Sequence, residues 1–315
     1  MQRLVPLMVA VGVLTTSARA ATVEEIPQIP PRRSLGPHLF IQRDSVTDPF
    51  TNSYIASTTG IAFGSAGGPL YRADGTPLNL RDDYKIFDFS LLAAGQWGIA
   101  DFWAIRLRLL GSVYSGINDP GLVGVGVSTL VRGSFGSTFS FQVAEQLRLG
   151  FVIDVTWGPS IVINILDTIR QSASSGTAEG LVDTTSAVTV TPTLSLAWTF
   201  ARGWGALFNA TYANGVLEVN QATKDTDAVL VQAAVEVDLR ELGGIPFGIG
   251  AEYSVGYSLA RSRFRRYIAG LGFFYTGRPG LTLGVDLGYR RSPISSNEVF
   301  ASSFSAAFSL RYTFD

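Results

Sequence analysis

From Tyr84 to the last residues, apolar and polar side chains alternate with a period of two. Phe87, Phe89, Leu91, Ala93 and Trp97 fall on one face of a strand, with Asp88, Ser90, Ala94 and Gln96 on the other. Trp103, Ile105, Leu107 and Leu109 likewise oppose Arg106 and Arg108, Val235 and Val237 oppose Glu236 and Asp238, and Val285 and Leu287 oppose Asp286. The most regular stretch is the last: Phe304, Ala306, Phe308, Leu310, Tyr312 and Phe314 against Ser303, Ser305, Ala307, Ser309, Arg311 and Thr313. Strands this polar on one face do not fit a dry core. One face for lipid and one for water predicts an all-β chain, a transmembrane antiparallel up-and-down β-barrel. A slip of one residue would turn Arg108 or Asp286 into lipid, at about 2–4 kcal/mol for an Arg at the midplane.

The connections between strands alternate in length, and this sets the topology. Gly98 to Asp101, Ser134 to Ser137, Ala201 to Gly203, Arg240 to Pro246 and Gly277 to Gly280 read as short turns. Ser65 to Asp83, Gly158 to Ala187 and Asn214 to Asp227 read as long loops. Short turns belong at the periplasmic rim and long loops outside. Counting back from a final downward strand gives about twelve strands, with ten or fourteen as alternatives, and it needs the weakly alternating segment Tyr54 to Phe63 as the first. From Phe139 to Trp157 the odd positions are apolar except Glu145, too long for one crossing of roughly ten residues. Either the strand projects beyond the bilayer or Glu145-Gln146 marks a bulge.

Residues 1–20 carry Arg3, an apolar run from Leu4 to Leu14 and small residues ending at Ala20, the pattern of a cleaved export signal. Residues 21–53 form a leader broken by Pro27, Pro30, Pro31, Pro37 and Pro49, either a periplasmic spacer or a segment folded into the lumen. Residues 54–315 are the barrel. Removal of the signal leaves 22 basic against 25 acidic side chains, and that balance carries no nucleic-acid footprint. The absence of cysteine excludes disulfides and thiolate metal sites, and no metal or cofactor is expected.

On this register Arg106, Arg108, Arg132, Arg148, Arg290 and Arg311 face the lumen, as do Asp88, Asp154, Glu236, Asp238, Glu252 and Asp286. Two readings stand: opposed ladders of charge produce a field across a pore, or the charges pair across strands and fill the interior. Inward glycines, among them Gly248, Gly250, Gly270, Gly272, Gly284 and Gly288, leave volume for water, cargo or an inserted segment, or else relieve crowding where the wall bends. Ile161, Ile165 and Ile169 have helical spacing, so Ser160 to Ser172 is either a constricting helix or a continued strand. The one histidine, His38, lies in the leader before any strand, which argues against a catalytic barrel.

Export signal, alternating strands, unequal connections and the closing Phe308, Leu310, Tyr312 and Phe314 together resemble the outer-membrane β-barrel proteins of Gram-negative bacteria, particularly porin-like and small-molecule transporter types. The resemblance implies an outer-membrane location in contact with lipid, and a last strand that the barrel-assembly machinery reads. Asp315 departs from the usual terminal aromatic. It further implies a channel or uptake barrel for small solutes. The alternative is a closed barrel that anchors an envelope protein partner.

Overall fold

A computed structural model of the chain describes residues 33–36, 38–41, 43, 45–71, 77–118, 127–163, 182–219, 222–259, 265–278, 280–293 and 300–314. The export signal lies outside the described residues. Two short strands, β1 (Ser34–Leu35) and β2 (His38–Leu39), pair with each other. Twelve more make the wall: β3 (Ser53–Tyr71), β4 (Pro77–Ala100), β5 (Trp103–Gly116), β6 (Val127–Ala144), β7 (Leu147–Ile163), β8 (Val182–Ala201), β9 (Trp204–Val219), β10 (Ala222–Asp238), β11 (Phe247–Ser258), β12 (Arg265–Arg278), β13 (Leu281–Pro293) and β14 (Phe300–Phe314). Each pairs antiparallel with its neighbours in sequence, and β14 pairs with β3 to close the barrel. Closure removes the unpaired strand edges that hydrocarbon would not tolerate.

The weakly alternating first segment is therefore a full wall strand. Ser57 and Thr59 point outward, opposite Leu310 and Phe308 of β14. Elsewhere the strands are longer than their composition indicates. Much of the expected loop Ser65 to Asp83 is strand, with β3 reaching Tyr71 and β4 starting at Pro77. β7 and β8 extend through Ile163 and from Val182, and β9 and β10 are separated only by residues 220–221. Hydrogen bonding to a neighbouring strand outweighs the Gly, Pro and Asp content there, since these extensions pair along their length.

The expected turn at Ser134 to Ser137 is instead the middle of β6, and the reversal lies at Glu145-Gln146. Phe141 pairs with Leu149 and Phe139 with Phe151, so partners share parity and the outward phase passes through the turn unbroken. The strand number survives because one turn replaces the other. The remaining reversals on that rim fall at Asp101-Phe102, Arg202-Gly203, the connection that contains helix α1 (Leu239–Gly243), and residues 279–280. Gly203 and Gly280 adopt φ of 69° and 74°, which a side chain would strain.

Outward side chains are exposed along every strand, for example Leu109, Leu194, Val231, Phe273 and Phe308. Aromatic residues gather toward the ends of this band: Trp97, Trp198, Phe200, Trp204, Phe247 and Tyr312 near the short-turn rim, and Phe63, Trp157, Tyr257 and Phe304 toward the other. Such girdles hold a barrel at the two interfaces.

Candidate functional site

The short-turn half of the lumen is filled by the described residues of the chain's own leader between Arg33 and Asn52. Leu35, Phe40, Val46 and Phe50 are buried against Ala197 of β8, Leu207 of β9 and Ala234 of β10. Each such burial contributes roughly 1.5–3 kcal/mol. Ion pairing staples the segment to itself: Arg33 Nη2 lies 3.0 Å from Asp48 Oδ2, and the Phe50 N–H donates to Asp48 Oδ1 at 3.0 Å.

The filler is irregular, so most of its backbone groups have no ladder, and side chains of the wall take that role. Glu236 accepts from the Ile41 N–H at 2.7 Å. Thr199 donates to the Leu35 carbonyl, Gln232 to Ser45, Ser195 to Thr47, and Gln96 to both Phe50 and Asn52. Arg43 is the main charged anchor. Its Nε and Nη2 donate to Asp286 Oδ1 at 3.0 and 2.7 Å, and its Nη1 lies 3.6 Å from Glu252.

The inward glycines acquire specific explanations. A Cβ on Gly205 would collide with the His38 ring, one on Gly150 would lie 2.6 Å from Pro49 Cβ, and one on Gly248 would meet the tip of Ile41. Others are beds for large neighbours rather than empty volume. Gly250 is paired with Glu236, Gly270 with Glu252, Gly272 with Asp286, and Gly284 with Phe274. Gly136 lies between Arg106 and Asp154 in register, and across it these two form an ion pair at 2.7 Å.

The lumenal charges divide by height. Arg106, Arg148, Asp154, Glu236, Glu252, Asp286 and Arg311 surround the filler: Arg148 stands over the Phe50 ring at 5.4 Å and Arg311 over Tyr54 at 4.6 Å. Arg108 lines a residual cavity between filler and wall. Asp238 caps α1 at the short-turn rim by accepting from the Arg240 N–H at 3.1 Å. Arg132 and Arg290 lie above the filler, exposed to the upper lumen, with Asp88 half-buried. The segment Ser160 to Ser172, read as either a constricting helix or a continued strand, starts as strand, since Ile161 and Ile163 pair with Thr129 and Val127; residues 164–172 lie outside the described residues.

His38 is fully buried within the filler, edge-on to Phe40, and neither ring nitrogen makes a hydrogen bond of good geometry. Burial pushes its pKa down to about 4, with the backbone of Gly203 acting weakly the other way. The sequence left the leader as either a periplasmic spacer or a segment folded into the lumen, because its partners are nonlocal. Its signal was six large apolar residues, Leu35, Leu39, Phe40, Ile41, Val46 and Phe50, in a segment otherwise composed like a spacer.

No family model matches the chain, and no curated protein matches it. Solved structures do. The translocator domain of the autotransporter NalP from Neisseria meningitidis superposes with a TM-score of 0.56 at 12% identity, covering 86% of this chain and 91% of that one. A TodX deltaS2S3 mutant monoaromatic hydrocarbon channel superposes at 0.50 with 10% identity, covering 86% and 92%. Identities this low speak to the fold alone. With its closed wall, lipid-suited exterior and polar lumen, the chain has the twelve-stranded transmembrane β-barrel fold of these outer-membrane structures.

Proposed function

We propose that this barrel is an outer-membrane channel for small solutes, held shut by its own N-terminal segment. One observation carries the reading: the wall's pairing is complete without the filler, from β3 through β14 and back to β3. The filler contributes no strand to the wall and is attached through side-chain hydrogen bonds and ion pairs. Its departure would leave an intact barrel lined by Arg106, Arg148, Asp154, Glu236, Glu252, Asp286 and Arg311. Rings of fixed charge of both signs act on ions and polar solutes at close range. Transport rather than catalysis is the reading supported by the enclosure of the one histidine, His38, in the apolar core of the filler. The outward residues Phe308, Leu310 and Tyr312, with Phe314 stacked on Tyr312, are the segment we assign to recognition by the assembly machinery.

Planar bilayers test the channel. The full chain is expected to be mostly closed, and a variant lacking residues 21–50 to conduct steadily. Absence of conductance in that variant, with its heat-dependent gel shift retained, would sink the reading. A second reading, a permanently closed anchor in an envelope complex, is favoured by the apolar packing of Leu35, Phe40, Val46 and Phe50. It predicts that the same deletion loses a co-purifying partner.

A further inference from the structure

Above the filler, three guanidinium groups and one carboxylate meet at one level of the lumen. Asp88 on β4, Arg132 on β6 and Arg266 on β12 each stand twelve residues from the short-turn end of their strand, at Ala100, Ala144 and Arg278. Arg290 faces inward nine residues beyond the start of β13 at Leu281, in register with Ile268 and Ser303. β6 and β12 are six strands apart in a ring of twelve, so Arg132 and Arg266 belong to opposite walls. Even so, the charges of Arg132 and Arg290 both act on Arg266, and that of Arg132 acts on Arg290. Among the described residues none of the three is in an ion pair, and their one hydrogen bond runs from Arg290 Nε to Ser292 Oγ at 3.2 Å. Asp88 is the counter-charge at this level, acting on Arg290. The other lumenal acids are engaged around the filler: Asp154 with Arg106, Glu252 and Asp286 with Arg43, and Glu236 with the Ile41 N–H. Small side chains keep the space beside the arginines open. Arg290 is flanked by Ser303 and then Gly64, and the next inward row runs from Gly288 through Ser305 and Ala62 to Asp88.

We propose that Arg132, Arg266 and Arg290 form a binding site for small oxyanions of two or more negative charges, organic phosphates or carboxylates, and that these are the solutes the barrel prefers. The binding site stands on the arginines alone; the solute class rests on the channel reading above. Three like charges facing one another from opposite walls, with one carboxylate among them, leave a net positive charge among the described residues. Water solvates that charge but does not neutralise it. An oxyanion does, and its oxygens match the paired N–H groups of a guanidinium fork. A ring of arginines across a passage is also the arrangement that favours anions in pores.

The site lies above the filler, so it can be tested in the full chain with the filler docked. Pyrophosphate and succinate are titrated separately into the protein in detergent micelles at low ionic strength. Binding is expected, and the tighter of the two probes names the group recognised. Arg132→Gln, Arg266→Gln and Arg290→Gln should each weaken it by about fivefold, the size of one exposed charge pair. Asp88→Asn should tighten it, a gain that misassembly cannot produce. No binding of either probe, or undiminished binding in all three arginine variants, overturns the site. The variant lacking residues 21–50 then tests the solute class: in a potassium chloride gradient its reversal potential should favour chloride, and the triple Gln variant should lose that preference. A conducting pore without anion preference overturns the solute class and leaves the channel reading standing. A pore that never conducts overturns both, while the titration still decides the binding site.

Discussion

Arg43 and Asp286 are 243 positions apart in the chain and 2.7 Å apart in the lumen. Their contact joins the leader to β13 and, through Glu252, to β11. Arg43→Ala should therefore free the filler. Breaking a buried pair from one side costs about 3–5 kcal/mol, and the partly solvated Asp286 places this one toward the lower end. Protease cleavage between residues 33 and 52 would report it, and Asp286→Asn combined with Arg43→Ala should cost less than the two singles added together. Full additivity would mean that the contact does not hold the filler.

Glycine positions under the filler should be intolerant of a single methyl group. Gly150→Ala meets the backbone and ring of Pro49, and Gly205→Ala meets the packed rings of His38 and Phe40. Overpacking of this kind costs about 1–3 kcal/mol. Both variants should keep the heat-dependent gel shift of an intact wall while the leader becomes protease-sensitive. Gly111→Ala, with open space around it, should behave as the parent.

Acid should loosen the filler through His38. The docked state holds the imidazole neutral with a pKa of about 4, against 6.5 when released. Above 6.5 both states are neutral and pH has no effect through this group. As pH falls from 6.5 to 4 the released state binds a proton that the docked state does not, so docking weakens progressively, by up to about 3 kcal/mol. Leader cleavage or channel opening should rise across that window. His38→Phe should remove most of the rise; an unchanged pH profile in that variant would assign the effect elsewhere.

Lipid contact predicts asymmetry between adjacent residues. Val231 is 57% exposed on the outer face, whereas Gln232 beside it is buried and holds Ser45. Val231→Arg should destabilise the barrel by about 2–4 kcal/mol if it lies near the midplane, measured by urea unfolding in lipid vesicles, and leave the leader protected in the folded fraction. Gln232→Ala should have the opposite pattern, a stable wall and a looser filler.

The wall was legible because parity is a local property. Each outward residue from Phe87 to Tyr312 can be assigned from its immediate neighbours, and slipping the register is costly. The reversal at Glu145-Gln146 was not legible for the same reason, since cross-strand partners of equal parity leave no break in the pattern. Strand length was underestimated where Gly, Pro and Asp cluster, because pairing with a neighbour rather than local propensity decides those segments. The filler was hidden more deeply. Ile41 meets Glu236 across 195 positions, and nothing near either residue announces the other. Inward glycine hinted at an occupant, but its identity depends on which long-range neighbour arrives.

Chain order has a consequence for biogenesis. The filler precedes β3, and β3 is one side of the seam that β14 completes, from Ser53 opposite Phe314 to Ala66 opposite Ala301. A ribosome therefore makes the occupant first and the zip fastener last. Until that zip runs, β8, β9 and β10 form part of an open, curved sheet, and Phe40 and Phe50 can reach it sideways. Afterwards the only route is lengthwise, past the rim. Slowing the final pairing would prolong the interval for loading the lumen, and hastening it would yield empty barrels.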